Sequence, residues 1–505
     1  MKSLLKFSVV SALMILAASC SDKDQFEGPD GPDAVNTRAT VNLGLPGGTD
    51  AVDAEGNVTV SRDVHLTAAN TYILHNYFRI QDGYTITIDA GTVIKGDTTS
   101  IAPGTLVIER GAQIQAVGTC NNPIVFTSNY GTPAPGDWGG VVLLGKADVN
   151  LSGTRGAQPS GTDGLGFIEG LPTPNNTGRY GNGDLPTGSY NSDNSGTMQY
   201  VRIEYGGHVI GTDNELNGLT MGGVGNGTTL DHIMVKAGKD DAFEFFGGCV
   251  NAKYLIASEN RDDDFDTDQG YSGKIQFGIS RKTPDQDISS FPINGFESNG
   301  DSDDDYGNNP LTDGTFSNFT VIGPIYTSST SVLANYNSGA LIRDDSHLNI
   351  FNSIITGYPN YQVELETPGD FDSDENDATD NLVSIEGVTL VYPTFNGFTA
   401  QCTNISGFGT HPSYHNECLN ASASGIGRRS LPAQTGLSSN AWSTSSPSFV
   451  ASAEKSAYFS HSLFDNAEDN SQWTDWDVVD FRGAFGNSSE TNNANWCIDG
   501  NWVAW

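Results

Sequence analysis

Thr105-Leu-Val-Ile-Glu-Arg-Gly-Ala-Gln-Ile-Gln-Ala-Val-Gly-Thr119 holds two short runs of strand-forming residues hinged on Gly111. Alternation of apolar and polar residues over four or five positions is the period of a half-buried strand, and the glycine between the runs marks a turn. Pro123-Ile-Val-Phe-Thr-Ser128 follows at once, then Gly136-Asp-Trp-Gly-Gly-Val-Val-Leu-Leu-Gly145. Outward from this stretch the texture repeats in Tyr84–Asp89, Met198–Glu204, Leu230–Val235, Ala252–Ile256, Phe316–Ile322, Leu348–Ile354 and Leu382–Leu390. Comparable runs recur irregularly, often at roughly 20 to 30 residues, which suits a coil of about three short strands with long loops at some corners. Tight hairpin signals are scarce, which disfavours a sandwich, and no blade-length repeat supports a propeller. The pattern predicts an all-β solenoid, a parallel β-helix over residues 41–400, each coil burying its inward side chains and stacking on the next.

The chain has 505 residues with 60 glycines, 24 basic and 61 acidic residues, and a formal charge of −37. That charge argues against a nucleic-acid partner and against direct docking on anionic lipid, and it fits cation binding. Six of the seven tryptophans, Trp442, Trp473, Trp476, Trp496, Trp502 and Trp505, crowd the tail. A coil stack needs an apolar end covered, so residues 436–505 read as a C-terminal cap. A sugar-binding aromatic platform is the other reading of the same residues.

Tyr200-Val-Arg-Ile-Glu-Tyr-Gly-Gly207, Phe243-Glu-Phe-Phe-Gly-Gly248 and Asp480-Phe-Arg-Gly-Ala-Phe485 join the 105–145 motifs. Together they resemble a family of right-handed parallel β-helix surface lipoproteins of Bacteroidota, pectate-lyase-like in fold and often given transporter names. The resemblance covers most of residues 60–290 and implies a right-handed coil and a place beside TonB-dependent outer-membrane transporters. The family carries no settled activity.

At the N-terminus, Lys2 and Lys6 precede an apolar run, Phe7 to Ala18, and Ala17-Ala18-Ser19 lead into Cys20. This is the layout of a secretory signal, residues 1–19. A cysteine at the first mature position resembles a lipobox, although Ala17 stands where such boxes prefer Leu. Cys20 is therefore the expected lipidation site. The following Ser-Asp-Lys-Asp resembles the surface-export signal of the same lipoproteins, so the expected location is the outer membrane, facing outward. Losing Lys2 and Lys6 would take the formal charge from −37 to −39. Residues 20–40, rich in Asp, Gly and Pro, read as a flexible tether.

Five further cysteines follow: Cys120, Cys249, Cys402, Cys418 and Cys497. Cys402 and Cys418 are close in sequence and are the expected disulfide, in a loop over residues 401–435; the pairing of the other three stays open. His411, His415 and Cys418 could alternatively hold zinc.

Three Asp-x-Asp-x-Asp runs point to calcium, which takes several hard oxygen ligands. They are Asp264-Phe-Asp266-Thr-Asp268, Asp301-Ser-Asp303-Asp-Asp305 and Asp370-Phe-Asp372-Ser-Asp374. Residues 259–268 hold six acids against Arg261 alone. Packed like charges repel or raise one another's pKa unless a cation relieves them. The expected calcium ligands are Asp262, Asp264, Asp266, Asp268, Asp301, Asp303 and Asp305.

Asp240-Asp241 with Phe243-Glu244 offers paired carboxylates, and Arg343-Asp-Asp-Ser-His347 an arginine and a histidine. Asp240, Asp241 and Arg343 are the weak catalytic candidates for a polysaccharide lyase or glycoside hydrolase. Their spacing does not follow the Asn-x-Asp, Asp-Asp, Gly-His, Arg-x-Lys series of β-helix pectinases. The expected role is non-catalytic: a calcium-stabilised surface protein binding a glycan or an outer-membrane partner. The alternatives are a β-helix lyase or hydrolase, and an adhesin.

Overall fold

The computed structural model describes residues 38–151, most of 164–366, strands between 383 and 420, and most of 476–505. All belong to the compact unit Arg38–Trp505. Cys20, Asp301, Asp303, Asp305, the 370–374 run, His411 and His415 lie outside the described residues. So do the side chains of Cys402 and Cys418.

The chain winds as a parallel β-helix. One sheet of eleven strands runs from Asn57–Val60 to Gln401–Thr403, each strand hydrogen-bonded in parallel to its counterpart in the next coil. We call this the first sheet. The other two faces begin as separate ladders. Val64–Leu66, Thr85–Ile88 and Gln113–Val117 form one, and Ala39–Leu43, Asn70–Leu74, Val93–Gly96 and Ile124–Ser128 the other. They fuse at Gly196–Glu204, whose first half pairs with Gln113–Val117 and whose second half pairs with Ile124–Ser128. From there the long strands Thr229–Lys236, Asn251–Ser258, Lys274–Arg281 and Thr315–Ile322 each serve both faces.

The bend inside each long strand falls at a left-handed residue: Tyr200, His232, Tyr254, Phe277 and Asn318, with φ between 51° and 66°. Backbone there turns the corner at a steric cost for a side chain with a Cβ. Stacking of equivalent side chains along the axis offsets part of it: Tyr200 on His232 and His232 on Tyr254 at 4.4 Å, then Tyr254 on Phe277 at 5.1 Å. Gly111, at φ +86°, makes the corner that the opening motif predicts. Residues with a Cβ rarely adopt that positive φ, which is why the corner takes glycine.

Inward residues stack coil on coil. Phe243, Phe265 and Phe296 occupy one register position in the first sheet, with centroids 5.2 and 5.4 Å apart. A buried aromatic of this kind contributes about 1.5–3 kcal/mol of transfer free energy. The described tail covers apolar surface, but along the flank of the coils. Trp496, Trp502, Phe481 and Phe485 pack against Met234, Tyr254, Ile256, Phe277, Ile322 and Ile354. A disulfide between Cys120 and Cys497, 377 residues apart, ties this strap to an early coil. Cys249 is a free thiol.

Candidate functional site: an acidic cleft on the first sheet

Period-two alternation puts the residue after each stacked phenylalanine on the outer face. Glu244, Asp266 and Glu297 therefore form a ladder, one carboxylate per coil, with Thr220 before it and Leu341 after it. Neighbouring coils stand about 4.8 Å apart. A second ladder runs beside the first at the preceding turn. Asn217 Oδ1 accepts the backbone N–H of Asp241 at 3.2 Å, and Asp241 Oδ1 that of Asp263 at 2.8 Å. Asp263 Oδ1 then accepts the N–H of Asn294, and Asn294 Oδ1 that of Ser338 at 3.1 Å. These side chains satisfy turn amides that the sheet leaves unpaired.

Two excursions close the upstream end. The hairpin Val209–Gly211 with Asn214–Glu215 brings Glu215. An arm around residues 164–180 brings Glu169. It is seated by Ile168, Leu171 and Tyr180 in an outer apolar cluster. Tyr77 donates its hydroxyl to Gly170 O at 3.0 Å, and buried Arg79 binds Pro172 O while pairing with Glu109 at 2.7 Å.

The result is a cleft of about 260 Å³ lined by nine carboxylates and one basic side chain, Arg343. Three overlapping groups each hold their oxygens within 4.8 Å of one another: Glu169, Glu215 and Asp240; Asp240, Asp241 and Asp262; Asp241, Glu244 and Asp266. Burial, then the neighbouring carboxylates, hold Asp240, Asp241, Glu244, Asp263 and Asp266 well above the ordinary carboxylate range. Arg343 is engaged by Glu297 and donates to Asn299 Oδ1 at 2.6 Å, so its charge is largely spent at the downstream end. Asp266 Oδ1 is buried with no hydrogen-bond partner, as is Thr220 Oγ1 one step up the ladder from Glu244. An oxygen donor left without a proton or an amide suits a hard cation.

Three of the candidate motifs thus contribute to one site, through Asp240 and Asp241, Asp262 and Asp266, and Arg343. The 262–268 run does not act as a single loop, however. Asp264 precedes its strand and turns away to Lys282 Nζ at 2.8 Å and Ser280 Oγ at 2.6 Å, where both charges are fully buried. Asp268 shares the outward face with Asp266 but lies beyond the cleft's lining. His347 does not line the cleft either. Glu169, Glu215 and Glu297 were not among the expected ligands. Glu297 had a signal, the recurrent acid after phenylalanine in Phe243-Glu244, Phe265-Asp266 and Phe296-Glu297.

Fold and cleft together define a parallel β-helix carrying a carboxylate-lined groove on one sheet. The chain belongs to the family described as pectate-lyase like beta helix domain, whose model matches residues 56–442. No curated protein matches it. Among solved structures, the periplasmic alginate epimerase AlgG is similar at 10% identity and a TM-score of 0.23, over 75% of this chain and 83% of that one. A double mutant of the same enzyme is similar at 11% identity and a TM-score of 0.22, over 75% of this chain and 84% of that one. Likenesses at these scores carry no argument.

Proposed function

We propose that the protein is a surface-anchored β-helix that holds calcium in its acidic cleft and binds a glycan there. One observation carries the reading: seven carboxylates from successive coils and two excursions form three overlapping groups, each within 4.8 Å, the last of which includes Asp266 with its buried, unpartnered Oδ1. Unrelieved, that density of charge opposes folding; a divalent cation turns it into a binding site. Asp240, Asp241, Asp262, Glu244 and Asp266 are the ligands of first choice, with Glu169 and Glu215 closing the upstream end. Calcium held at a half-open cleft keeps ligand positions for saccharide hydroxyls or carboxylates, which suits an accessory binding role. The lipid anchor at Cys20, the outward-facing outer-membrane location and a TonB-dependent transporter partner rest on the sequence features of residues 1–24 and on the family resemblance.

A second reading, cleavage of the bound glycan, is favoured by the paired Asp240 and Asp241 carboxyls. Burial holds both above the ordinary carboxylate range, Asp240 with help from the Asp262 charge and Asp241 with help from that of Asp240, which suits a carboxyl that keeps its proton for a general acid. A glycan array probed with the full chain in calcium and in chelator, followed by product analysis, separates the readings. Calcium-dependent retention without products supports the binding role, and new reducing or unsaturated ends support cleavage. Binding indifferent to chelator removes calcium from the proposal.

A further inference from the structure

The fused sheet carries a second groove on its outer face, of about 260 Å³ and lined by none of the cleft's residues. Thr229 and Asp231 point outward from Thr229–Lys236, and Asn251 and Lys253 from Asn251–Ser258. Register pairs Thr229 with Asn251 and Asp231 with Lys253. Neighbouring strands stand about 4.8 Å apart and alternate residues about 6.7 Å, so these four side chains mark a rectangle of about 5 by 7 Å. That is the footprint of one pyranose ring with its hydroxyls. Asn226 and Thr228, in the preceding turn, close one side.

The polar groups are held in place by their neighbours. Asn251 Oδ1 accepts the N–H of Lys274 at 2.8 Å, which leaves the amide Nδ2 to donate. Thr228 Oγ1 accepts the N–H of Ser195 at 2.8 Å and keeps its own proton to give. Asp231 Oδ1 takes Gln199 Nε2 at 3.2 Å and is hydrogen-bonded to His232 Nδ1, so Oδ2 is the oxygen left to accept. Lys253 is fixed by Asp477 at 3.2 Å. The lining thus holds one acid and one base, against nine carboxylates and one base in the cleft. It concentrates no charge for a cation or an ionic ligand to meet. Its apolar members, Leu230 and Ala252, are each only 3% exposed, so it presents no apolar patch for a lipid or a peptide side chain. What remains is a carboxylate acceptor beside amide and hydroxyl donors, the set that pairs with vicinal sugar hydroxyls, each of which donates once and accepts once.

Upstream the face stays uncharged. Thr197, Gln115 and Thr87 occupy the Thr229 position in the three preceding rungs. From Thr87 to Asn251 is four interstrand steps, about 19 Å, room for several sugar units in line. A neutral polar strip of this length stands out on a chain of formal charge −37. We propose that the groove is a second saccharide site, which seats one hexose of a neutral glycan over Thr229, Asp231 and Asn251 without calcium and lets the chain run along the Thr87–Thr229 column. It lies on a different sheet from the acidic cleft and does not rest on the cleft's proposed function.

Calorimetric titration of the full chain in EDTA tests the site, with hexasaccharides of glucose, of mannose and of galactose as probes and a hexauronate as the charged control. At ordinary ligand efficiency one seated hexose gives a Kd of about 1 mM, and at least one neutral probe should bind near that value while the hexauronate does not. Asn251→Asp keeps the acceptor for the Lys274 N–H and removes the amide donor, so affinity should fall about tenfold. Thr229→Trp fills the groove from an exposed position outside the core and should abolish the heat with Tm unchanged. Chelator-resistant retention that Thr229→Trp removes belongs to this groove and not to the cleft. Absence of binding by all three neutral probes overturns the proposal. So does binding that both variants leave unchanged, or binding that appears only when calcium is restored.

Discussion

Replacing Asp266 by Asn should change sign with calcium. Asp241, Glu244 and Asp266 each present an oxygen within 4.8 Å of the other two. At that distance and an effective dielectric near 20, two like charges repel by about 3 kcal/mol. Asp266 faces two such neighbours, so full ionisation would set about 6–7 kcal/mol against the fold. Partial protonation relieves much of this, because all three carboxyls are held well above the ordinary range. The amide has the same shape and no charge, so in chelator at pH 7.5 it should recover about 1–3 kcal/mol, a gain of a few °C in Tm. With calcium present, the variant lacks a ligand and should gain less from the ion than the wild type. The assay is thermal unfolding of both proteins with EDTA and with millimolar calcium. Equal destabilisation of Asp266→Asn in both conditions would refute the charge argument, because only a packing role for the carboxyl predicts that. A pH series adds a second check. Carboxyls raised in the folded state stabilise it most at low pH and lose that contribution as pH rises through their folded pKa values. The chelated wild type should therefore lose Tm from pH 5 to 8, and calcium should flatten the slope.

Three further outcomes follow from single contacts. Lys282→Met strands the fully buried Asp264 carboxylate and should cost about 3–5 kcal/mol by denaturant unfolding, with Lys282→Met/Asp264→Leu recovering most of it. Burial pushes Asp313 up to about 6 despite the Asn349 hydrogen bond and nearby Lys274; its ionisation above that pH opposes folding, so Asp313→Asn should gain about 1–2 kcal/mol at pH 8 and almost nothing at pH 4. Removing the Cys120–Cys497 tie by a Cys120→Ser/Cys497→Ser change should lower stability by up to about 5 kcal/mol on chain-entropy grounds, and limited proteolysis should then clip the strap first.

The strands were legible because their signal is local. Alternation in Gln113–Val117 or Asn251–Ser258 tells which side chains go in, whatever the rest of the chain does. The parallel coil followed from many such runs without hairpin turns between them. The cleft was half legible. Asp240, Asp241, Asp262 and Asp266 stood out as crowded acids, but their convergence depends on register between coils of unequal length. From Phe243 to Phe265 is 22 residues and from Phe265 to Phe296 is 31, yet the three are register partners in the first sheet. The acid after each phenylalanine was the available clue to Glu297. Glu169 and Glu215 had none, since excursions place them through contacts such as Tyr77 with Gly170. Asp264 shows the opposite failure: it belongs to the run by spacing, yet a lysine 18 residues later claims it. The Cys120–Cys497 pair spans 377 residues, and only the folded strap brings it together.

The central claim is that the cleft is a calcium site, and calorimetric titration of the chelated full chain with calcium chloride tests it most directly. The account predicts saturable binding with a Kd of about 10⁻⁶–10⁻³ M, the range of oxygen-ligand sites outside the tightest buffers. Protons should be released on binding, because the raised carboxyls must ionise. Asp241→Asn/Glu244→Gln should abolish the heat. Absence of binding at ~10 mM calcium, or binding that the double variant leaves unchanged, would contradict the account.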